Sequence, residues 1–229
     1  MINRIRSLYP TTEFTPSWNF PIYTDQWLEV EKIDKIRSWL LDREEEFIAT
    51  FPYHHDGGAA LGKDSVTSRH GLYSLFWFEK DIPEIMDLLK FIRESYVKFI
   101  TEENAIPRDS YIVSWFNVAR KGQDIKQHAH GADHESYLSG NIHLDTYDTY
   151  NTFISPYDDR SAFIRDNVKG GISIFPSCVP HYSSVYEGEE PRVSIAFDLR
   201  IKPTKQYGFG VESIPFMDTN IYNQLTAES

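Results

Sequence analysis

Apolar residues recur in DQWLEVEKIDKIRSWLLDREEEFIATF at Leu28, Ile33, Ile36, Trp39, Leu40 and Phe47, with charged residues between them. That spacing, close to 3.6, predicts an amphipathic helix beginning near Asp25, whose side chain is available as a cap. DIPEIMDLLKFIRESYVKFITEEN repeats the pattern with Ile85, Leu88, Leu89, Ile92, Tyr96 and Ile100 on one side, and Pro83 suits a first turn. Both stripes require a surface to pack on. After Ile106-Pro107 the period changes. DSYIVSWFNVAR, SYLSGNIHLD, NTFISPY, GISIFPS, HYSSVY and PRVSIAFDLRI read as short strands, parted by turns at 121–124, 169–171 and 187–190. In SYLSGNIHLD, Leu138, Gly140, Ile142 and Leu144 alternate with Ser139, Asn141, His143 and Asp145, giving a strand with one apolar and one polar face, the polar one expected to meet water about half the time.

Helices that all precede the strands, and strands about ten residues apart, predict an α+β fold that is mainly β: a sandwich or barrel flanked by N-terminal helices. A chain of 229 residues suits one domain. Its expected parts are an extended arm (1–24), a helical support (25–107) containing a Gly-rich candidate lid (53–72), a β core (108–202) and a tail (203–229). Gly57, Gly62 and Lys63 imitate the opening of a phosphate-binding loop. Asp64 then stands where magnesium coordination wants Ser or Thr, and FPYHHD makes a poor buried strand, so that reading is rejected.

Composition narrows the function. Hydrophobic residues at 41% and aromatics at 15% describe a globular chain. A net charge of −11 speaks against bulk binding to nucleic acid and leaves small molecules, amino acids and peptides as substrates. No run of about 18 apolar residues is present to span a membrane. MINRIRSLYPTTEF lacks the apolar stretch of a secretory signal, and the single cysteine, Cys178, has no partner for an internal disulfide. A reducing cytoplasm is the expected location.

Four of the eight histidines fall in KQHAHGADHESYLSGNIHLD. On a strand, His128 and His130 would point the same way and present two imidazoles to one space. His181 follows directly after Pro180, and eleven residues later Arg192 opens the alternation Arg192, Ser194, Ala196. An inward-facing guanidinium has to meet an anion, and a dicarboxylate can engage it with two parallel hydrogen bonds. Taken singly, each of these is more often an ordinary polar residue; their order and spacing together point to a metal site. His54, His55, His70 and His134 read as surface or loop residues, outside a lid role. Tyr73, Phe76 and Trp77 read as core or pocket lining.

Trp115 and Asn117, Gly122, His128 and His130, Ser139-Gly140, Phe175-Pro176-Ser177, His181, and Arg192 with Ser194 stand in an order that resembles the iron(II)- and 2-oxoglutarate-dependent oxygenases, in particular their small bacterial and phage-type branch. The resemblance covers residues 115–199. It implies a double-stranded β-helix core (jelly-roll, cupin-like), with Fe(II), 2-oxoglutarate and O2 as cofactor and cosubstrates. The implied activity is hydroxylation of an unactivated C–H bond with release of succinate and CO2. It also implies His128, His130 and His181 as metal ligands, and Arg192 helped by Ser194 as the clamp on the far carboxylate. His143, Asn141 and Asn117 would line the cosubstrate site, His143 standing where related enzymes often have a tyrosine. The chain departs from the family at His130, where a carboxylate usually sits. Three arrangements remain open: His130 is a ligand, Asp133 swings in, or two histidines bind and the third position is left to water or halide. Two other classes also stay open, a three-histidine cupin-like metalloenzyme that does not use 2-oxoglutarate and a nonenzymatic β-sandwich binding module.

Overall fold

The computed structural model describes residues 1–8, 12–55, 57–131, 136–203 and 213–227. Along the described chain run β1 (Ile2–Arg6), β2 (Asn19–Gln26), α1 (Val30–Thr50), α2 (Glu84–Glu102), β3 (Ser110–Ala119), β4 (Ser136–His143), β5 (Tyr150–Ile154), β6 (Ala162–Asp166), β7 (Gly171–Pro176), β8 (His181–Ser183), β9 (Arg192–Arg200), β10 (Ile214–Met217) and α3 (Thr219–Ala227). The strands form a seven-stranded sheet in the order β1-β2-β7-β4-β9-β3-β10 and a three-stranded sheet in the order β6-β5-β8, with every pairing antiparallel. The inner faces of the sheets meet where Phe153 of β5 packs edge-on against Phe175 of β7, ring centroids 4.9 Å apart. This is the mainly β, helix-flanked fold that the alternation predicted, and the jelly roll that the resemblance implied. No helix among the described residues is long and apolar enough to cross a membrane.

The helices cover the outer face of the large sheet. Ile33, Ile36, Leu40 and Phe47 of α1, and Ile85, Leu88, Leu89, Ile92, Tyr96 and Ile100 of α2, share one core with Ile142 of β4, Ile174 of β7 and Val193, Ile195, Phe197 and Leu199 of β9. A smaller core of Ile5, Ile22, Phe153, Phe175 and Val179 closes one end between the sheets. Ion pairs fasten α1 to the strand ends. Arg37 meets Asp145 just beyond β4 (2.5 Å) and the Pro191 carbonyl just before β9 (3.0 Å), while Arg120 at the end of β3 grips both oxygens of the buried Glu44 (3.0 and 2.6 Å).

Several expected parts take a different form. The N-terminal residues expected as an arm pair into the large sheet as β1 and β2, burying Ile5, Ile22 and Tyr23. Asp25 belongs to β2 and accepts from Tyr23 (2.9 Å), so α1 starts later and its N-cap, Glu29, makes no side-chain cap bond. In the expected tail, β10 pairs with β3 and α3 follows it; residues 204–212 lie outside the described set. The loop imitating a phosphate site runs into a four-residue 3-10 turn, Val66–Arg69, without a preceding strand. Tyr73 and Phe76 are core, and Trp77 is exposed. The polar row of β4 does not meet water: Ser139, Asn141 and His143 are as buried as the apolar row, because their face looks into the barrel.

Gly140 shows how tight the outer core is. A Cβ there would lie 2.2 Å from Cζ of Phe197 and 2.7 Å from the Ser173 carbonyl. Phe197 lies opposite it on β9 and fills the space a side chain would take. Gly140→Ala is therefore expected to destabilise the protein by about 1–3 kcal/mol through overpacking, read as a lower urea midpoint at unchanged m-value.

Candidate metal centre

Backbone pairing brings the histidines together. The chain before β4 runs beside β8: His128 N–H donates to the His181 carbonyl (3.1 Å), His181 N–H to the His128 carbonyl (2.9 Å), and Ser183 N–H to the Ile125 carbonyl (3.0 Å). His128 thus forms a single bridge opposite His181. His130 sits two residues on in a bend, its N–H held by the Ser177 carbonyl (3.0 Å). Neither residue lies in a regular strand, contrary to expectation, yet the outcome is the same. The rings of His128, His130 and His181 have centroids 4.5–5.3 Å apart, and each offers a nitrogen within 4.8 Å of the other two. Among the described residues this is the group of donors that could hold a metal ion. Asp133, the alternative carboxylate, lies outside the described residues.

Each ring turns Nδ1 to an acceptor, which fixes its orientation and leaves Nε2 as the atom to face a cation. Nδ1 of His128 meets the Lys126 carbonyl (2.7 Å), and that of His181 the Val179 carbonyl (3.2 Å). Nδ1 of His130 meets the carboxylate Oδ1 of Asp198 on β9 (2.6 Å). Ser139 donates to the same Asp198 oxygen (2.7 Å) and lies 2.9 Å from the Ser177 hydroxyl. Burial, with His130 and His128 close by, pushes His181 well below the usual imidazole range, so it stays neutral and able to ligate at neutral pH. Burial also pulls the Asp198 carboxyl upward, but His130 and Ser139 outweigh it and hold the group lowered, hence ionised.

A cavity of about 490 Å³ runs from these rings to Arg192, within the ~300–1,000 Å³ of small-molecule sites. Arg192 is 3% exposed, and among the described residues its guanidinium bonds to two hydroxyls, Thr149 (3.2 Å) and Ser183 (3.3 Å), with Tyr186 beneath it at 5.9 Å. Among the described residues no carboxylate pairs with it. Ser194 lies beside it on the same face of β9, and His143 stands opposite Ser194 in the ladder. Burial, reinforced by Arg192 and Arg165, keeps His143 neutral. Asn151 Nδ2 donates to His143 Nε2 (3.2 Å), which places the ring proton on Nδ1, and that buried Nδ1 has no protein partner. Asn141 Oδ1 is similarly unpartnered in the cavity wall. Asn117 also lines the cavity, but its carbonyl oxygen is taken by the Thr67 hydroxyl (2.8 Å). A buried cation without an anion and a buried donor without an acceptor together fit a carboxylate-bearing ligand.

Three histidines expected on the surface also belong to this cavity. His54, His55 and His70 line it beside Trp115, in a chain of ring contacts that runs His55–His70 (4.6 Å), His70–Trp115 (5.4 Å) and Trp115–His130 (5.6 Å). Burial, followed by the neighbouring His55, lowers His70 to about 4. The candidate lid is thus a cavity wall, braced by Thr67 on Asn117. Three histidines within seventeen residues of a Gly-rich segment were the signal available in the sequence.

No protein-family model matches the chain, and no curated protein matches its sequence. Its shape is similar to solved structures. A Pseudomonas putida prolyl-4-hydroxylase superposes with a TM-score of 0.51 at 11% identity, covering 79% of this chain and 92% of that one. HygX from Streptomyces hygroscopicus with iron bound gives 0.52 at 8% identity, covering 86% and 92%. At these identities the likeness establishes the fold, that of a double-stranded β-helix with flanking helices.

Because Arg192 is a buried charge without an anion, replacing it should not harm the unliganded fold. Arg192→Met is expected to leave urea stability unchanged or raise it by up to about 1 kcal/mol. A loss of about 2 kcal/mol or more would assign the guanidinium to structure.

Proposed function

We propose that the chain is an Fe(II)- and 2-oxoglutarate-dependent dioxygenase that hydroxylates an unactivated C–H bond of a small molecule, amino acid or peptide side chain. The observation that carries this reading is the buried Arg192, paired with no acid among the described residues, in one cavity with three converging imidazoles. A metalloenzyme that needs no dicarboxylate has no use for such a cation.

His128, His130 and His181 would hold the iron, and the donor set is compatible with it: imidazoles suit iron as they suit zinc, copper and nickel, and three of them leave positions open. Arg192, with Ser194 and the Thr149 and Ser183 hydroxyls around it, would grip the far carboxylate of 2-oxoglutarate. His143, its proton placed on Nδ1 by Asn151, offers one further donor to that ligand. The bound iron and cosubstrate supply the chemistry, R–H + 2-oxoglutarate + O2 → R–OH + succinate + CO2, with one oxygen atom entering each organic product. The chain's own part is to fix the rings, orient the diacid, and exclude water through the wall that includes His54, His55, Thr67 and His70. The acidic balance of the chain supports a substrate other than nucleic acid.

Anaerobic titration tests the reading. Adding 2-oxoglutarate to the Fe(II)-loaded protein is expected to raise a weak visible charge-transfer band at one equivalent, and admitting air to yield succinate. Arg192→Ala is expected to keep the metal and lose about 2–5 kcal/mol of 2-oxoglutarate affinity, thirty-fold or more. Full retention of cosubstrate binding by that variant would defeat the proposal.

A further inference from the structure

His130 differs from the other two rings in what stands behind it. His128 and His181 turn Nδ1 to backbone carbonyls, whereas Nδ1 of His130 turns to a carboxylate, at 2.6 Å. That carboxylate is sheltered, with Asp198 and His130 side chains only 13% and 6% exposed. It is also held in place. Asp198 lies on β9 opposite Ser139 of β4, whose hydroxyl bonds Oδ1, and Oδ2 faces Arg200 at 3.9 Å. His130 is fixed from its backbone by the Ser177 carbonyl as well as from its ring. Two neighbouring segments therefore converge to set one imidazole.

We propose that Asp198 is a positioning residue that supplies, through the His130 ring, the negative charge that a directly bound carboxylate would otherwise bring to the metal. This rests on the metal centre proposed above. Three neutral imidazoles leave a divalent cation uncompensated in a sheltered site. A carboxylate hydrogen-bonded to the outer nitrogen of one ligand raises that ring's basicity and locks Nε2 inward. Asp198 sits on the same inward row of β9 as Arg192, so the strand that grips the cosubstrate would also tune the metal.

The test uses Co(II) with the purified, metal-stripped full chain and reads binding and spectra in place of turnover. Asp198→Asn keeps the shape and removes the charge. It is expected to weaken Co(II) binding 10–100-fold and shift the visible d–d bands, while Asp158→Asn, at a partly exposed loop carboxylate paired with Arg160, changes neither. Asp198→Glu is expected to recover part of the loss. A second readout needs no variant: in Zn(II)-loaded protein labelled with 15N-histidine, one ligand ring proton should resonate well downfield of the other two, reporting the short bond to a carboxylate. If the parent binds no Co(II), the metal centre falls and this assignment with it. If the parent binds and Asp198→Asn binds equally well with unshifted bands, or the downfield ring proton is absent, the assignment alone is overturned.

Discussion

The pleat of β9 constrains everything else. Val193, Ile195, Phe197 and Leu199 point into the core under the helices, each fully buried, and the intervening Arg192, Ser194, Ala196 and Asp198 face the cavity. Nine consecutive pairs tie β9 to β3 on one side, and β4 ties it on the other. A slip of one residue would drive a guanidinium and a carboxylate into hydrocarbon and expose four large apolar side chains, each worth about 1.5–3 kcal/mol of burial. Ordinary hydrophobic packing on one face thus dictates polar geometry on the other.

The same logic explains how the helices serve a site they do not enter. Arg37 of α1 bonds both Asp145 and the Pro191 carbonyl, pinning the end of β4 and the start of β9 where His143 and Arg192 stand. Glu44 does the like for the end of β3 through Arg120. Several polar side chains lining the cavity are paired with one another: Ser139 with Asp198, Thr67 with Asn117, Asn151 with His143. His143 Nδ1 and Asn141 Oδ1, without partners among the described residues, lie in the wall of the same cavity as Arg192, where a ligand could complete them.

Much of this was readable in advance, for unequal reasons. Both amphipathic helices and most core strands follow from periods of 3.6 and two, and the three histidines and Arg192 from their order. The reason first given for His128 and His130 was a strand; what unites them with His181 is a bridge between residues 53 apart in the chain, which no local period encodes. β1 is short, and β2, although eight residues long, is interrupted by Pro21, so neither shows a clear period in the sequence. Pro21 pairs with Arg4 but falls outside residues 23–26, on which β7 pairs, so its missing N–H breaks no bond to β7. Asp198 read as one charge in an alternating strand. Its meaning depends on His130 arriving from 68 residues away, a tertiary fact.

The placement of charge along β9 also decides whether a ligand is needed at all. Arg192 and Asp198 are six residues apart, about 20 Å of strand at ~3.4 Å per residue. At an effective dielectric near 20, opposite charges at that separation attract by only about 1 kcal/mol, against about 4 kcal/mol in contact. Asp198 accordingly is not among the groups that act on the Arg192 charge, whereas Tyr186, Tyr147 and Asp124 are. Had the fold set the two side by side, they would have neutralised each other and left neither a cation for an incoming diacid nor an anion behind His130. By spacing them along one strand, the sheet keeps the Asp198 carboxylate for His130 and leaves the Arg192 guanidinium open to an anion. The fold bears the desolvation of Arg192, and any anion that binds there would offset it and stabilise the protein by mass action.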